Sequence, residues 1–196
     1  MEKKILRELV MVSRQIAAAG LVVGSSGNIS CRHGPYMYIK RSGLWLERAK
    51  ISDFIAMDIK TKTVAGKSSR RPSCEFPLHA ACYQAREDIH WVVHTHPLYI
   101  TALMQAGVRL RWQGFEAAMI LGDSPAEVAF FSPGSEALAE QVARAAAVHP
   151  VVCLQVHGLV TVGAGAAEAL HRSLLAERMA QMQLLSLQAQ RAISSV

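Results

Sequence analysis

The chain has 196 residues, of which 51% are hydrophobic, and its formal net charge is +6 at pH 7. This composition excludes global disorder, the length predicts a single domain over residues 1–196, and no apolar stretch reaches the roughly 18 residues of a membrane-spanning helix. The cations are scattered rather than gathered in a stripe with interleaved aromatic residues, which favours a small anionic ligand and argues against nucleic acid or a membrane as partner.

The first predicted element is an amphipathic helix over residues 2–19, where apolar residues recur at helical spacing. Gly20 follows at the position of a C-cap glycine. This charged N-terminal pattern lacks the apolar core of a signal peptide, so we expect a cytoplasmic protein. The four cysteines include no Cys-x-x-Cys pair and are expected to be reduced.

A stretch rich in glycine and serine, residues 23–30, follows the first helix and contains Asn28. Exposed backbone amides and a short amide side chain suit an anion such as phosphate, but the same residues also suit a plain connection from helix to strand. Strands are predicted at residues 36–39 and within residues 51–58. Between them, Lys40-Arg41-Ser42-Gly43 is a turn that carries two cations.

A polar and basic loop over residues 60–73 leads to a predicted helix over residues 76–86. Ser73 stands at the expected N-cap position, and Pro77 falls in the first turn, where proline is tolerated. Glu75 is therefore expected near a helix N-terminus. A carboxylate there complements the helix dipole, which would explain its presence without any catalytic role.

The stretch Trp91-Val92-Val93-His94-Thr95-His96-Pro97 predicts a buried strand that ends in two histidines. Side chains two apart on a strand point to the same face, so His94 and His96 project together. Two imidazoles held side by side form half of a metal site. One packed histidine beside one surface histidine would give the same pattern, and this stretch alone leaves both interpretations open.

The remaining predicted elements alternate between helices and strands. They are a helix over residues 98–105, a strand over 128–131, a helix from 135 to 147, paired strands within 151–162 and a long helix from 166 to 192. His157-Gly158 interrupts the paired strands and places a histidine at their turn. Short connections imply an antiparallel or mixed sheet, and the helices are numerous enough to cover both faces. The predicted fold is a three-layer α/β/α sandwich around a mixed, largely antiparallel sheet.

Three histidines at strand ends or turns satisfy the ligand count of a catalytic zinc site, which keeps an open position for substrate. They are His94, His96 and His157. A carboxylate beside such a metal can serve as general acid/base, and glycine turns and helix N-termini can hold a phosphate. The combined pattern therefore favours metal-assisted chemistry on a phosphorylated substrate.

The order of these motifs resembles the class II aldolase/adducin family, and is closest to its fuculose-phosphate aldolase-like enzymes, over nearly the whole chain. Gly27-Asn28-Ile29-Ser30 is similar to the family's first phosphate-loop motif, Ser42-Gly43 to the second and Ser73-Cys74-Glu75 to the third. His94-Thr95-His96-Pro97 resembles the metal pair, and His157-Gly158 the third ligand. Each motif alone is weak, whereas five in this order and spacing are specific.

The resemblance implies a Zn²⁺ ion bound by His94, His96 and His157, with Glu75 as acid/base. It also implies a sugar phosphate whose phosphate is surrounded by Asn28, Ser42, Gly43, Ser73 and Cys74. The implied reaction is reversible cleavage of a ketose 1-phosphate, such as L-fuculose 1-phosphate, into dihydroxyacetone phosphate and an aldehyde. Family enzymes are usually homotetramers with sites between subunits, and the resemblance implies the same assembly here.

Three places depart from the family's pattern. Lys40-Arg41 replaces Thr-Pro in the second motif, and Cys74 replaces a common serine. Phe130 stands at about the position where some aldolases of the family have a tyrosine that is the proton donor. These departures leave open how the phosphate is held and how the leaving group is protonated.

Several activities of the family remain as alternatives. Glu75 favours an aldolase over a 4-epimerase, whose pattern has aspartate there. A dehydratase of the methylthioribulose-phosphate type and a decarboxylase are further alternatives on the same scaffold, and the three histidines argue against a non-catalytic adducin-like module. His79 is expected to face the core and to pack rather than to bind a ligand.

Overall fold

The computed structural model describes residues 2–66 and 68–194, and this part of the chain contains six α-helices and seven β-strands. The helices are α1 (Glu2–Ala18), α2 (Phe76–Ala85), α3 (Leu98–Gln105), α4 (Phe115–Leu121), α5 (Glu136–Ala146) and α6 (Ala166–Ser194). The strands are β1 (Asn28–His33), β2 (Tyr36–Lys40), β3 (Phe54–Asp58), β4 (Trp91–Thr95), β5 (Ala126–Val128), β6 (Val151–Leu154) and β7 (Gly158–Gly163).

The seven strands form one sheet in the order β3-β2-β1-β4-β7-β6-β5. All neighbouring pairs are antiparallel except β5 and β6, which are parallel. The register places Asn28 of β1 opposite His94 of β4, and Thr95 of β4 opposite Leu159 of β7. Three segments far apart in sequence therefore meet at one end of the central strand.

Helices cover both faces of the sheet. α2 and α5 pack on one face around Met37, Val92 and Leu154. On the other face, α1 and the start of α6 surround Ile29, and α3, α4 and the middle of α6 surround Leu159. The predicted three-layer α/β/α sandwich with a mixed, largely antiparallel sheet is confirmed. The single domain over residues 1–196 stays a prediction, and Met1, Lys67, Ser195 and Val196 lie outside the described residues.

Two elements of the structure are missing from the sequence prediction. β1 has an Asn-Ile-Ser-Cys-Arg-His sequence with little apolar periodicity, and it forms because its backbone pairs with both β2 and β4. α4 is a seven-residue helix that begins after Gly114, whose φ of 99° only glycine adopts without strain. The local sequence pattern does not predict β1 or α4, because contacts with other segments of the fold stabilise both elements.

Two predicted boundaries are wrong. β5 ends at Val128, so the strand predicted over residues 128–131 does not extend to Phe130, whose exposed fraction is 58%. Glu75, and not Ser73, is the N-cap residue of α2, and its side chain makes no capping hydrogen bond. The Ser73 hydroxyl instead accepts a long hydrogen bond of 3.4 Å from the Glu75 amide. The Glu75 carboxylate is thereby free to point elsewhere.

No helix within residues 2–66 and 68–194 combines the length and the apolar character needed to cross a bilayer. α6 is long enough, with 29 residues, but polar residues are spread along it.

Replacing Gly158 with alanine is expected to destabilise the fold, because β7 approaches β4 at this residue. A Cβ at Gly158 would lie 2.2 Å from the carbonyl oxygen of Thr95 and 3.1 Å from the His96 ring. We expect Gly158→Ala to lower the free energy of unfolding by about 2–3 kcal/mol, measured by urea denaturation. Gly165→Ala is the matched control, since its Cβ would meet nothing within 4 Å. Equal unfolding midpoints for both variants would contradict the close approach.

Candidate metal centre

Four side chains that could bind a metal converge where the three middle strands end. They are Glu75, His94, His96 and His157, and one candidate ligand atom from each lies within 4.8 Å of all the others. Glu75 comes from the N-cap of α2, His94 from β4, His96 from the residue after β4, and His157 from the turn between β6 and β7. The structure thus brings together all four residues that the sequence predicted for metal binding and acid/base chemistry.

The backbone of β7 fixes the orientation of His94. Its ring is fully buried, and Nδ1 donates a hydrogen bond of 3.0 Å to the carbonyl oxygen of Leu159. A neutral imidazole that donates from Nδ1 presents a lone pair at Nε2. Hydrogen bonding to a backbone carbonyl from the remote ring nitrogen is typical of a metal-binding histidine. His94 is therefore held in the tautomer that a cation requires.

The facing atoms around His94 are electron-pair donors. His94 Nε2 lies 3.0 Å from His96 Nε2 and 3.2 Å from Glu75 Oε2. Burial lowers the pKa of His96 to about 4, with smaller contributions from the neighbouring imidazoles of His94 and His157, so the His96 ring is neutral near pH 7. Lone pairs this close repel one another unless a proton or a cation lies between them.

The Glu75 carboxylate completes the cluster from the side of α2. Oε1 lies 3.2 Å from His157 Nε2, yet it has no hydrogen-bond partner within residues 2–66 and 68–194. Burial alone would raise the pKa of Glu75, but the imidazoles of His157 and His94 outweigh burial and hold that pKa below its usual range. A buried carboxylate oxygen without a partner is costly, and a cation would satisfy it.

These observations indicate that the residues fit a divalent metal ion. Three imidazoles and one carboxylate form a donor set suited to Zn²⁺ and related ions of the first transition row. Three histidine ligands would leave a coordination position for substrate, and the carboxylate would lie beside it. The geometry supports metal-assisted acid/base chemistry, while the identity of the ion does not follow from it.

The residues predicted to hold a phosphate differ in their exposure. Ser42, Gly43 and Cys74 are exposed, whereas Ser73 is buried at 5% exposure. Asn28 is only 2% exposed, and its Nδ2 donates a hydrogen bond of 2.9 Å to Glu75 Oε2. Its phosphate role remains a prediction, because the structure gives this side chain a partner in the protein.

Lys40 connects the predicted phosphate motifs. This residue is 2% exposed, and its ammonium group donates to the carbonyl oxygens of Ser25, at 2.7 Å, and Leu44, at 2.9 Å. Its backbone carbonyl accepts a 2.9 Å hydrogen bond from the Ser73 amide. The first two glycine loops and the segment before α2 are therefore attached to one another. Burial lowers the pKa of Lys40 to about 8, and the nearby Glu75 partly opposes that shift.

Sequence reasoning missed the roles of Lys40 and His79. His79 is fully buried as expected, but it forms hydrogen bonds with Ser30 and Asn28 rather than only packing. The signal was present in the spacing, because Glu75 and His79 are four apart on α2 and Asn28 and Ser30 are two apart on β1. Recognising it required knowing that β1 is a strand.

Comparisons with known proteins agree with this geometry. The model of the family described as class II aldolase and adducin N-terminal domain matches residues 7–184. The chain belongs to the class II aldolase/adducin family. An L-fuculose phosphate aldolase from Methanococcus maripaludis strain S2 is 33% identical over 177 residues, which cover 90% of this chain and 94% of the relative.

Two further relatives of this family extend the comparison. A 5-methylthioribulose-1-phosphate/5-deoxyribulose-1-phosphate aldolase from Escherichia coli is 29% identical over 157 residues, covering 80% of this chain and 72% of the relative. The crystal structure of an L-fuculose-1-phosphate aldolase from Thermus thermophilus matches with a TM-score of 0.85 and 24% identity, covering 97% of each chain. Family membership and this fold identify the chain as an aldolase, a carbon–carbon lyase, with a Glu/His₃ cluster able to bind a metal.

Proposed function

We propose that the protein is a zinc-dependent aldolase that reversibly cleaves a ketose 1-phosphate of the L-fuculose 1-phosphate type into dihydroxyacetone phosphate and an aldehyde. The observation that carries the proposal is the convergence of three imidazoles and a carboxylate, with candidate ligand atoms within 4.8 Å of one another. The names of the relatives, which include several L-fuculose phosphate aldolases, support the substrate class.

The proposed metal ligands are His94, His96 and His157. When bound, a divalent ion supplies Lewis-acid stabilisation of the negative charge that develops on the substrate oxygens. His94 is held ready for this role by its hydrogen bond to Leu159. His94 is buried and the other two rings are half-buried, which limits competition from water for their nitrogens.

Glu75 is the proposed acid/base. Cleavage removes a proton from the hydroxyl of the aldehyde fragment and returns one to the carbon of dihydroxyacetone phosphate that lost its bond. We assign the second transfer to Glu75, because its carboxylate is buried beside the three histidines and one of its oxygens, Oε1, accepts no hydrogen bond within the described part of the chain. In the direction of synthesis, the same oxygen removes that proton.

The proposed phosphate site consists of Asn28, Ser42, Gly43, Ser73 and Cys74. The exposed Ser42 and Gly43 can supply a hydroxyl and a backbone amide to an anion. The neighbouring Lys40 ammonium adds positive charge near Glu75 and Cys74. Lys40 thus adds positive charge to a site in which Cys74 lacks the hydroxyl that serine would supply.

A homotetramer with sites between subunits, in the cytoplasm, is the proposed assembly. Three large apolar side chains close in sequence to the predicted site residues support it, with exposed fractions of 82% for Val23, 68% for Leu98 and 61% for Val156. Exposed apolar side chains that together form a contiguous patch commonly contact another chain. Analytical ultracentrifugation of the purified protein should give four chains per particle, and a monomer would refute this part of the proposal.

Purified protein is expected to contain about one zinc ion per chain, as one site with three histidines requires. It should release dihydroxyacetone phosphate from L-fuculose 1-phosphate, measured by reduction of that product with NADH in a coupled assay. A protein with all three histidines intact and no bound metal would refute the metal assignment.

A matched panel of sugar phosphates separates the alternatives. 5-Methylthioribulose 1-phosphate and 5-deoxyribulose 1-phosphate are included because the relative from Escherichia coli bears their names. Faster cleavage of these substrates would move the assignment to that activity. Inversion of ribulose 5-phosphate, loss of water or release of carbon dioxide would identify an epimerase, a dehydratase or a decarboxylase instead.

A further inference from the structure

A buried hydrogen-bond network leads from α2 through β1 to the Glu75 carboxylate. Glu75 at the N-cap of α2 and His79 and Tyr83 within α2 follow one another at intervals of four, and Asn28 and Ser30 lie two apart on β1. Ser30 Oγ lies 2.7 Å from His79 Nδ1 and 2.7 Å from the Tyr83 hydroxyl. His79 Nε2 contacts Asn28 Oδ1, and Asn28 Nδ2 lies 2.9 Å from Glu75 Oε2.

Each hydrogen bond among these buried side chains has one possible direction. Glu75, as a carboxylate, only accepts, so the amide nitrogen of Asn28 faces it and the amide oxygen faces His79. An amide oxygen also only accepts, so the proton of the His79 ring lies on Nε2. Nδ1 of a neutral ring is then an acceptor for the Ser30 hydroxyl. Ser30 has no second proton, so the Tyr83 hydroxyl donates to it.

The surroundings of His79 favour this neutral ring. Its exposed fraction is 0%, and no carboxylate lies in hydrogen-bond contact with it within residues 2–66 and 68–194. Burial lowers the pKa of His79 to about 3, with a smaller contribution from the neighbouring imidazole of His94. Tyr83, Ser30 and Asn28 are each less than 3% exposed, so water does not compete for these bonds.

We propose that His79, held in one tautomer by Ser30 and Tyr83, is a positioning residue that orients the Asn28 amide and through it the Glu75 carboxylate. If the proton of the ring moved to Nδ1, Nε2 would face the Asn28 oxygen with a lone pair. The amide would then turn over and present its oxygen to Glu75, and the two oxygens would repel each other. Glu75 would leave the position from which it reaches the three histidines.

Two substitutions of His79 separate orientation from packing. A glutamine amide can place its nitrogen near the position of Nε2, whereas an asparagine amide reaches only the position of Nδ1. We expect His79→Gln to keep kcat within about 5-fold, and His79→Asn to lower kcat about 10–100-fold while KM changes less than about 3-fold. A role in packing alone would not make the longer amide the better replacement, so equal losses or equal retention would overturn the proposal.

Two readouts do not depend on aldolase activity. Long-range ¹H–¹⁵N NMR of histidine-labelled protein should place the His79 proton on Nε2, and a proton on Nδ1 would overturn the proposal. In protein loaded with Co²⁺ and free of substrate, the Glu75 carboxylate would be a fourth donor beside the three imidazoles, so the visible absorption bands should shift for His79→Asn but match the unsubstituted protein for His79→Gln. If the bands stay unchanged in both variants, Glu75 has not moved and the proposal is wrong.

The proposal rests on the proposed function only for its kinetic consequence. A protein that cleaves no ketose 1-phosphate, but has the Nε2 proton and the Co²⁺ shift, would refute the proposed function and leave the positioning role standing. If His79→Asn does not fold, Ser30→Ala tests the same step, because it removes the donor that fixes the tautomer. In Ser30→Ala only Asn28 and Glu75 still favour the Nε2 proton, so the NMR spectrum should show a detectable fraction of the Nδ1 form beside a major Nε2 form. A spectrum unchanged from that of the unsubstituted protein would contradict the role of Ser30.

Discussion

Removal of the metal with a chelator is expected to lower turnover at least about 10³-fold, and added Zn²⁺ should restore it. The magnitude follows from the several kcal/mol of charge stabilisation that a metal supplies, since each 1.36 kcal/mol is a factor of ten. The structure supplies the reason for such dependence. Without a cation, the Nε2 atoms of His94 and His96 lie 3.0 Å apart and the Glu75 carboxylate lies 3.2 Å from His94. Lone pairs this close repel one another, and a bound cation removes that repulsion.

His96→Gln is the variant that tests the same centre without a chelator. It removes one proposed ligand and one of two facing lone pairs, so metal affinity should fall while the metal-free fold becomes no less stable. Added Zn²⁺ should raise the melting temperature of the unsubstituted protein, because binding to the folded state stabilises it, and should leave that of the variant almost unchanged. His171→Gln is the control, since its side chain is 47% exposed and lies on α6. A metal-dependent rise in both variants would contradict the ligand assignment.

The sequence predicted most of the site because its ligands lie in segments with strong local patterns. Trp91, Val92 and Val93 form an apolar run that predicts β4, and the two-residue period of a strand then places His94 and His96 on one face. His157 follows from the break between two runs rich in valine. Only the family resemblance, and not any local pattern, predicted that these two segments meet.

The rest of the site depends on tertiary contacts that a linear pattern does not carry. β1 has weak strand character, so its pairing with β4 and the alignment of Asn28 with Ser30 on one face follow only from the assembled sheet. The Lys40 ammonium group donates to the carbonyl oxygens of Ser25 and Leu44, which lie in two loops without a repeating sequence pattern. A lysine at the start of a turn that carries a second cation looks solvated in sequence, whereas the fold buries it.

Glu75→Gln is expected to lower kcat about 10²–10⁴-fold, the usual contribution of a positioned general acid/base. Glutamine has nearly the same shape, its oxygen can still accept from Asn28 Nδ2, and its nitrogen, at the position of Oε1, can donate to a lone pair of His157 Nε2. The fold should therefore be retained. The three histidines remain, so the zinc content should stay near that of the unsubstituted protein.

Glu177→Gln is the matched control for this variant. Glu177 is also a partly buried carboxylate, but its oxygens accept hydrogen bonds from the Tyr99 and Ile100 amides at the start of α3 and not from a histidine. Its substitution should lower the stability of the fold while kcat stays within about 2-fold, because these bonds cap a helix and touch no reacting group. Glu75→Gln should therefore lose turnover and keep its stability, whereas Glu177→Gln should lose stability and keep its turnover.

Proton exchange of dihydroxyacetone phosphate, one half of the reaction, is the most direct test of the acid/base role of Glu75. With dihydroxyacetone phosphate alone in deuterium oxide, the enzyme should exchange the carbon-bound proton that it removes during synthesis, and ¹H NMR follows the loss of that signal. Glu75→Gln should stop this exchange, whereas Glu177→Gln should not. Because no aldehyde is present, the result does not depend on which sugar phosphate is the substrate or on how the leaving group is protonated. Full exchange by Glu75→Gln with zinc bound would assign the proton transfer to another group.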